Sequence, residues 1–306
     1  MKPLVLLTAG DPLGIGPEIV VKALRAPRVQ RACRPVVIGE TASLLRAGFT
    51  DALAPLIALD YPTVSARTPR PTPQGGLVSF RAVELGIKLA LRSGAPLVTA
   101  PISKQSWALN RIPFTGHTEL LRARTGQDGL MLFVSGKLCC GLASEHFAVK
   151  DLPQILTQDR VKKSALLLAQ ALQRAGIAAP RIALCALNPH AGDNGQFGTE
   201  EISVLRPVVR ALVRQGVNIT GPLPTDTAWL RHIQGQYDGL LCLYHDQALT
   251  PLKLAAREPV VHITAGLPFL RTSPAHGTAF DIAGQGKADP AGMIAAVLFA
   301  ARRAAQ

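Results

Sequence analysis

Aromatic residues make up only 5% of this 306-residue chain, and no apolar run approaches the roughly 20 residues that a bilayer-spanning helix needs. That shortage excludes a hydrophobic transmembrane helix. Met1 to Gly10 runs straight into turn residues with no cleavage pattern of a signal peptide, so a cytoplasmic location with no membrane partner is expected. Cysteine is scarce too. The five, Cys33, Cys139, Cys140, Cys185 and Cys242, are odd in number and lack CxxC spacing, which argues against disulfides and a cysteine-bound zinc. The GxGxxG signature of a Rossmann dinucleotide site is also missing: Gly10, Gly14 and Gly16 are spaced differently. Acidic residues are outnumbered 20 to 33 by Lys and Arg, a net charge of +13. Clustered, such charge would suit nucleic acid, but here it is scattered and aromatics for base stacking are few, so no nucleic-acid partner is expected. A soluble basic surface around an anion-binding site accounts for it.

What is present is an alternation of strand and helix patterns, with length enough for two lobes at about 100 to 200 residues each. Leu4–Thr8, Pro35–Gly39, Pro96–Ala100, Arg181–Leu187, Gly239–Leu243 and Val260–Thr264 read as short buried strands. Those at 181–187 and 239–243 are apolar on both faces, as in sheets covered by helices on both sides. Met131–Val134 and Leu138–Ala143 read as a hairpin around Ser135-Gly136. Helices are expected from about Pro17, over 41–47, 79–93, 159–175 and 291–301, with a proline-rich loop over 65–76 and a long loop over 265–290. The fold class is therefore α/β. No internal repeat or low-complexity tract is present.

Several chemically active residues fall just past strand ends, where open parallel sheets place ligands. Ser103 and Lys104 follow Pro96–Ala100, and His146, His190 and His245 each follow an apolar strand pattern. Three neutral imidazoles with an open position suit zinc or a similar divalent ion, with Asp246 or Asp193 orienting a ligand. A lone imidazole more often makes a local hydrogen bond, and His232, beside Arg231 on an expected surface helix, is read that way. Lys253, Arg271, His117 and Thr118 are candidates to grip a phosphate or carboxylate, although each taken singly also reads as an ordinary surface group.

Seven blocks taken in order, TAGDPLGIGPE, TAPISK, FTGHTELL, LNPHAGDNGQFGTEE, GPLPTDTAW, YHDQALTPLK and ITAGLPFLRTSPAHGTAFDIAGQGKADP, resemble the 4-hydroxythreonine-4-phosphate dehydrogenase family of pyridoxal phosphate biosynthesis over nearly the whole chain. The last block is also similar to the adenosine-binding segment of isocitrate and isopropylmalate dehydrogenases. The resemblance implies two α/β/α lobes with a mixed, mostly parallel sheet and an interlobe cleft. The first lobe is expected to use 1–114 and 248–306 (cofactor and substrate anion), the second 115–247 (metal, dimer interface). It implies one divalent ion, zinc, magnesium or cobalt, on His146, His190 and His245; substrate contacts at His117, Thr118, Lys253, His262 and Arg271; and NAD or NADP on His276, Gly277, Thr278, Asp281 and Gly284. The contact at His262 is usually asparagine in the family.

A homodimer with a shared active site is implied as well. The implied reaction oxidises 4-phosphooxy-L-threonine to a 3-keto acid that decarboxylates to 3-amino-2-oxopropyl phosphate, with Asp246 and Lys104 as candidates for the general base. Because of His262, a paralogous 4-phospho-threonate or 4-phospho-erythronate dehydrogenase stays as an alternative. A non-catalytic basic ligand- or nucleic-acid-binding protein is the reading of another class.

Overall fold

The computed structural model describes residues 2–59, 61, 64 and 69–304. It divides into two compact units, one of 1–129 with 267–306 and one of 130–266. The division falls at different places from the expected 114 and 248. As a result His117 and Thr118 belong to the first unit, and Lys253 and His262 to the second.

The first unit opens with β1 (Leu4–Thr8), α1 (Gly16–Arg25), α2 (Pro27–Ala32), β2 (Arg34–Gly39), α3 (Thr41–Arg46), β3 (Leu56–Ala58), α4 (Pro73–Ser93), β4 (Leu97–Thr99), α5 (Lys104–Leu109) and α6 (His117–Thr125). The second unit follows with β5 (Leu130–Ser135), β6 (Leu138–Leu142), α7 (Leu152–Ile155), α8 (Gln158–Arg174), β7 (Ile182–Cys185), α9 (Arg206–Arg214), β8 (Ile219–Leu223), α10 (Thr225–Ile233), β9 (Gly239–Cys242), α11 (His245–Ala255) and β10 (Val261–Ala265). The chain then returns to the first unit for β11 (Arg271–Pro274) and α12 (Ala291–Ala304).

In the first unit the strand order is β3-β2-β1-β4-β11 and every pair is parallel. Connections run outward on one side of β1 and then jump to β4 on the other, so the carboxyl ends of β1 and β4 flank a topological switch point. In the second unit the order is β10-β5-β6-β9-β7-β8, with β10/β5 and β5/β6 antiparallel and the remaining pairs parallel. β7 and β9 are buried along their whole length, in keeping with apolar residues on both faces.

The helix starts follow local chemistry. Pro17 occupies the first turn of α1, where its missing N–H costs nothing, and Glu18 and Lys22 bond at 2.8 Å one turn apart. Helix α4 begins at Pro73, earlier than expected, because Thr72 caps it by accepting from Gly75 N–H at 3.0 Å. Of the loop expected over 65–76, residues 65–68 lie outside the described residues. The expected hairpin forms with Ser135 opposite Leu138, so its turn is Gly136-Lys137, with Gly136 at φ +56°. The long loop expected over 265–290 contains a strand, β11, that its own Pro274 and the nearby Pro268 disguised. All five cysteines are free and buried. Among the described residues no helix is long and apolar enough to cross a membrane.

Candidate active site

The second unit carries the histidine chemistry. β6 and β9 are parallel neighbours, so the segments leaving their carboxyl ends emerge side by side. His146 leaves the first and His245 the second, and their rings lie 5.5 Å apart, centroid to centroid. His245 is the first residue of α11, and its Nδ1 lies 2.7 Å from Oδ1 of Asp246. That contact holds the ring and leaves Nε2 as the nitrogen for a ligand, the arrangement by which carboxylates orient metal-binding imidazoles.

The turn between β9 and α11 is pinned from below by Gln247, which is buried. Its Oε1 accepts from Leu243 N–H at 2.6 Å, and its Nε2 donates to Ala186 carbonyl O at 2.7 Å and Thr225 Oγ1 at 2.8 Å. Gln247 thereby ties the end of β9 to the chain leaving β7. Trp229 Nε1 donates to its carbonyl O at 2.9 Å. Nothing in the sequence pattern singled Gln247 out, because its partners are remote in the chain. Beside it Tyr244 is half-buried, and desolvation, reinforced by Asp246, pushes its phenol pKa up.

His190 is placed differently. β7 lies on the other flank of β9, and its histidine rides on a left-handed coil: His190, Ala191, Gly192, Asp193 and Asn194 have φ of 52°, 55°, 78°, 41° and 56°. Among the described residues no group of three or more His, Cys, Asp or Glu side chains is arranged to hold a metal ion. Among the described residues the three-imidazole cluster expected from the sequence is not found: His146 and His245 lie together, and His190 is exposed on its own coil. In donor chemistry, two adjacent imidazoles with one oriented by a carboxylate fit a divalent ion.

His232 corrects a sequence expectation. It is buried rather than on a surface helix; Nε2 accepts from Cys139 N–H at 2.9 Å, and Nδ1 lies 2.9 Å from the Tyr237 carbonyl O. Its role is structural, as expected, and desolvation lowers its pKa. His262 stands on β10 opposite Phe133, with the two rings stacked at 4.8 Å and 19°. Lys253 is exposed on α11.

In the first unit, the switch-point ends of β1 and β4 carry Asp11, Ser103 and Lys104. Ser103 caps α5 by accepting from Ser106 N–H, so Lys104 opens that helix with an exposed side chain. Lys104 runs beside Gly116, the residue before His117: a Cβ on Gly116 would lie 3.5 Å from Lys104 Cε. Trp107, also on α5, is fully buried with its ring 6.1 Å from that of His117. Lys104, His117 and Thr118 thus share one neighbourhood. Arg271, on β11, is 1% exposed and donates to Thr99 Oγ1 at 2.6 Å, while burial lowers its pKa to about 9, which still leaves it cationic at neutral pH. The segment His276–Gly284 is tied to the glycine-rich turn at the start of α1, where Ile15 N–H donates to Thr278 carbonyl O at 2.9 Å. His276, Gly277, Asp281 and Gly284 are exposed there, and space is open in front of Gly277, which fits a ligand with ribose hydroxyls and phosphates.

A family model described as pyridoxal phosphate biosynthetic protein PdxA matches residues 31–300. The chain belongs to the PdxA family. A 4-hydroxythreonine-4-phosphate dehydrogenase of Caulobacter vibrioides is 43% identical over 100% of this chain and 98% of its own length. A protein of Symbiobacterium thermophilum whose name assigns it to D-threonate 4-phosphate dehydrogenation is 36% identical over 99% of this chain and 97% of its own. The crystal structure of a 4-hydroxythreonine-4-phosphate dehydrogenase from Klebsiella pneumoniae superposes with a TM-score of 0.87 at 35% identity, covering 100% of this chain and 99% of that one. Membership of the PdxA family accounts for the seven ordered sequence blocks. It also sets the histidines at the strand ends within an enzyme of small-molecule biosynthesis.

Proposed function

We propose that this chain oxidises 4-phosphooxy-L-threonine with NAD or NADP and a divalent metal ion, and that the resulting 3-keto acid loses CO₂ to give 3-amino-2-oxopropyl phosphate. The observation that carries the reading is the imidazole pair His146/His245, with Asp246 bonded to His245. His146, His245 and His190 are the proposed metal-holding residues. When bound, a zinc, magnesium or cobalt ion supplies Lewis acidity for the secondary alcohol and for the negative charge left by decarboxylation.

The chain's own groups do the rest. Lys253 and Arg271 supply positive charge for the phosphate and carboxylate, and His117 and Thr118 supply a ring nitrogen and a hydroxyl for hydrogen bonds to them. The proton of the secondary hydroxyl passes from its oxygen to Asp246 or Lys104, and hydride leaves the carbon that bears that oxygen for the nicotinamide ring. The ketone so formed is β to the carboxylate, so the electrons of the breaking C–C bond pass into an enolate as CO₂ departs, and a proton taken up at carbon gives the product ketone. His276, Gly277, Thr278, Asp281 and Gly284 are proposed to hold the dinucleotide, with the Asp281 carboxylate suited to ribose hydroxyls.

We place this chemistry in a homodimer with a shared site. Supporting this, the exposed apolar side chains Phe147 and Val149 follow His146, Phe197 and Ile202 follow His190, and one chain leaves His190 apart from the other two rings. A second copy offers the missing imidazole.

The second reading, a 4-phospho-threonate or 4-phospho-erythronate dehydrogenase, is favoured by His262. Stacked on Phe133, it places an imidazole where the family usually has an amide. The experiment that separates the two follows reduced nicotinamide by its absorbance, with 4-phosphooxy-L-threonine, 4-phospho-D-threonate and 4-phospho-D-erythronate side by side. Turnover of the amino acid alone supports the first reading, turnover of the hydroxy acids alone supports the second, and silence with all three sinks both.

A further inference from the structure

The block NPHAGDNGQFGTEE contributes one residue, His190, to the proposed chemistry, yet its first residue, Asn188, is bound by both its backbone N–H and its side-chain amide to a buried carboxylate at the block's end. Glu201 is 0% exposed. Its Oε1 accepts from Leu187 N–H and Asn188 N–H, both at 2.8 Å, and its Oε2 accepts from Asn188 Nδ2 at 2.9 Å. The same Asn188 amide donates to Glu200 Oε2 at 2.7 Å. Two glycines make room for this arrangement. A Cβ on Gly192 would lie 2.8 Å from Glu201 Oε2, and a Cβ on Gly198, at φ +118°, would lie 2.6 Å from both Asn188 Nδ2 and Glu200 Oε2.

The carboxylate therefore grips two of the four residues between β7 and the coil, Leu187 and Asn188, and touches the middle of the coil at Gly192. Residues His190 to Asn194 are all left-handed, four of them without the freedom of glycine, a conformation that persists only where surrounding structure enforces it. Phe197 N–H closes the far side by donating to Gly192 carbonyl O at 3.2 Å. A loop required only to connect β7 with the next helix needs no such conformation. Holding one exposed ring in a set direction does.

We infer that Glu201 is a positioning residue for His190: by anchoring Leu187 and Asn188 and backing Gly192, it holds the left-handed coil that presents the imidazole to a divalent ion. This rests on the reading of His190 as a metal ligand. Groups that orient a ligand without touching the ion typically contribute about 10–100-fold to metal affinity.

The test measures zinc affinity by calorimetry on the full-length apo protein in its native oligomeric state, below the unfolding midpoint of every variant. Expected for Glu201→Ala is a 10- to 100-fold weaker zinc affinity. Glu201→Gln, which keeps an oxygen for the two backbone N–H groups, should recover most of that loss. The double variant Glu201→Ala/His190→Ala should bind no more weakly than His190→Ala alone, because the carboxylate acts through the ring. Unchanged affinity in a folded Glu201→Ala protein, beside a loss in His190→Ala, overturns the inference and leaves the ligand assignment standing. An additive double variant overturns it as well. Unchanged affinity in His190→Ala removes the ligand assignment and this inference together. Should Glu201→Ala fail to fold, Asn188→Ala, which removes only the contact to Oε2 and its bridge to Glu200, carries the same expectation at the lower end of the range.

Discussion

β7 and β9 are adjacent, parallel and fully buried strands, and each runs out into a histidine, but they present it by opposite means. The chain leaving β9 turns directly into α11, so His245 sits at an ordinary helix start and is oriented by its neighbour Asp246. The chain leaving β7 makes a left-handed coil, so His190 is held by a conformation the backbone resists and a buried glutamate maintains. Both turns are tied down by tertiary contacts, through Gln247 and Glu201, but only the ring of His245 is oriented by its neighbour in sequence. Substitutions at His245 and Asp246 should therefore affect chemistry with little effect on folding, whereas those around His190 should affect both.

Four measurements test that contrast, from the largest expected effect to the smallest. His245→Ala should weaken zinc binding by more than about 100-fold, beyond the usual loss for an orienting neighbour, while the unfolding midpoint of the apo protein stays near that of the wild type. A large drop in apo stability would show that this end, too, depends on its histidine for folding. Gly198→Ala should destabilise the protein by about 2–3 kcal/mol in denaturant titration, since a Cβ at φ +118° is strained and meets Asn188 and Glu200. Full stability in that variant would mean that the coil yields easily, and the contrast would collapse. Asp246→Asn, at the relaxed end, should cost about 10-fold in zinc affinity and less than about 1 kcal/mol in stability, its side chain being 81% exposed. An equal or larger loss of stability there would reverse the ranking.

The last concerns His232, which resembles the other histidines in sequence but serves packing. Burial lowers its pKa below 6.5, so the unfolded chain binds a proton that the native protein resists. Stability contributed in this way is present above about pH 6.5 and falls as the pH drops toward the folded-state pKa. In His232→Asn that part of the acid sensitivity should vanish, read as a flatter unfolding midpoint between neutral and mildly acidic pH, with zinc affinity at neutral pH unchanged. An acid response identical to that of the wild type would assign the sensitivity to other groups.

Much of this was legible in the order of residues. The apolar runs at 4–8, 35–39, 181–187 and 239–243 all contain strands, because period and hydrophobicity are local properties that survive without knowledge of partners. β11 was hidden, since four residues that end in a proline and enter a polar loop carry too little pattern to be told from a turn. The division between units was displaced for a related reason: α6 and the segment 248–266 each fit either side by composition, and packing decides. At the candidate site His146, His190 and His245 stood out by chemistry and by their places after strands. Gln247, Glu201 and Asn188 did not, because glutamine, glutamate and asparagine are common surface residues until the structure buries them against backbone groups.

By itself the sequence determined the α/β class, the order of elements, the ordered blocks of the PdxA family and the histidines that end β-strands, all matters of local periodicity and residue chemistry. Only the tertiary structure decided that His146 meets His245 while His190 stands apart on a left-handed coil. That outcome depends on β9 lying between β6 and β7 and on a carboxylate buried beneath the coil, and strand order and burial come from contacts between residues far apart in the chain.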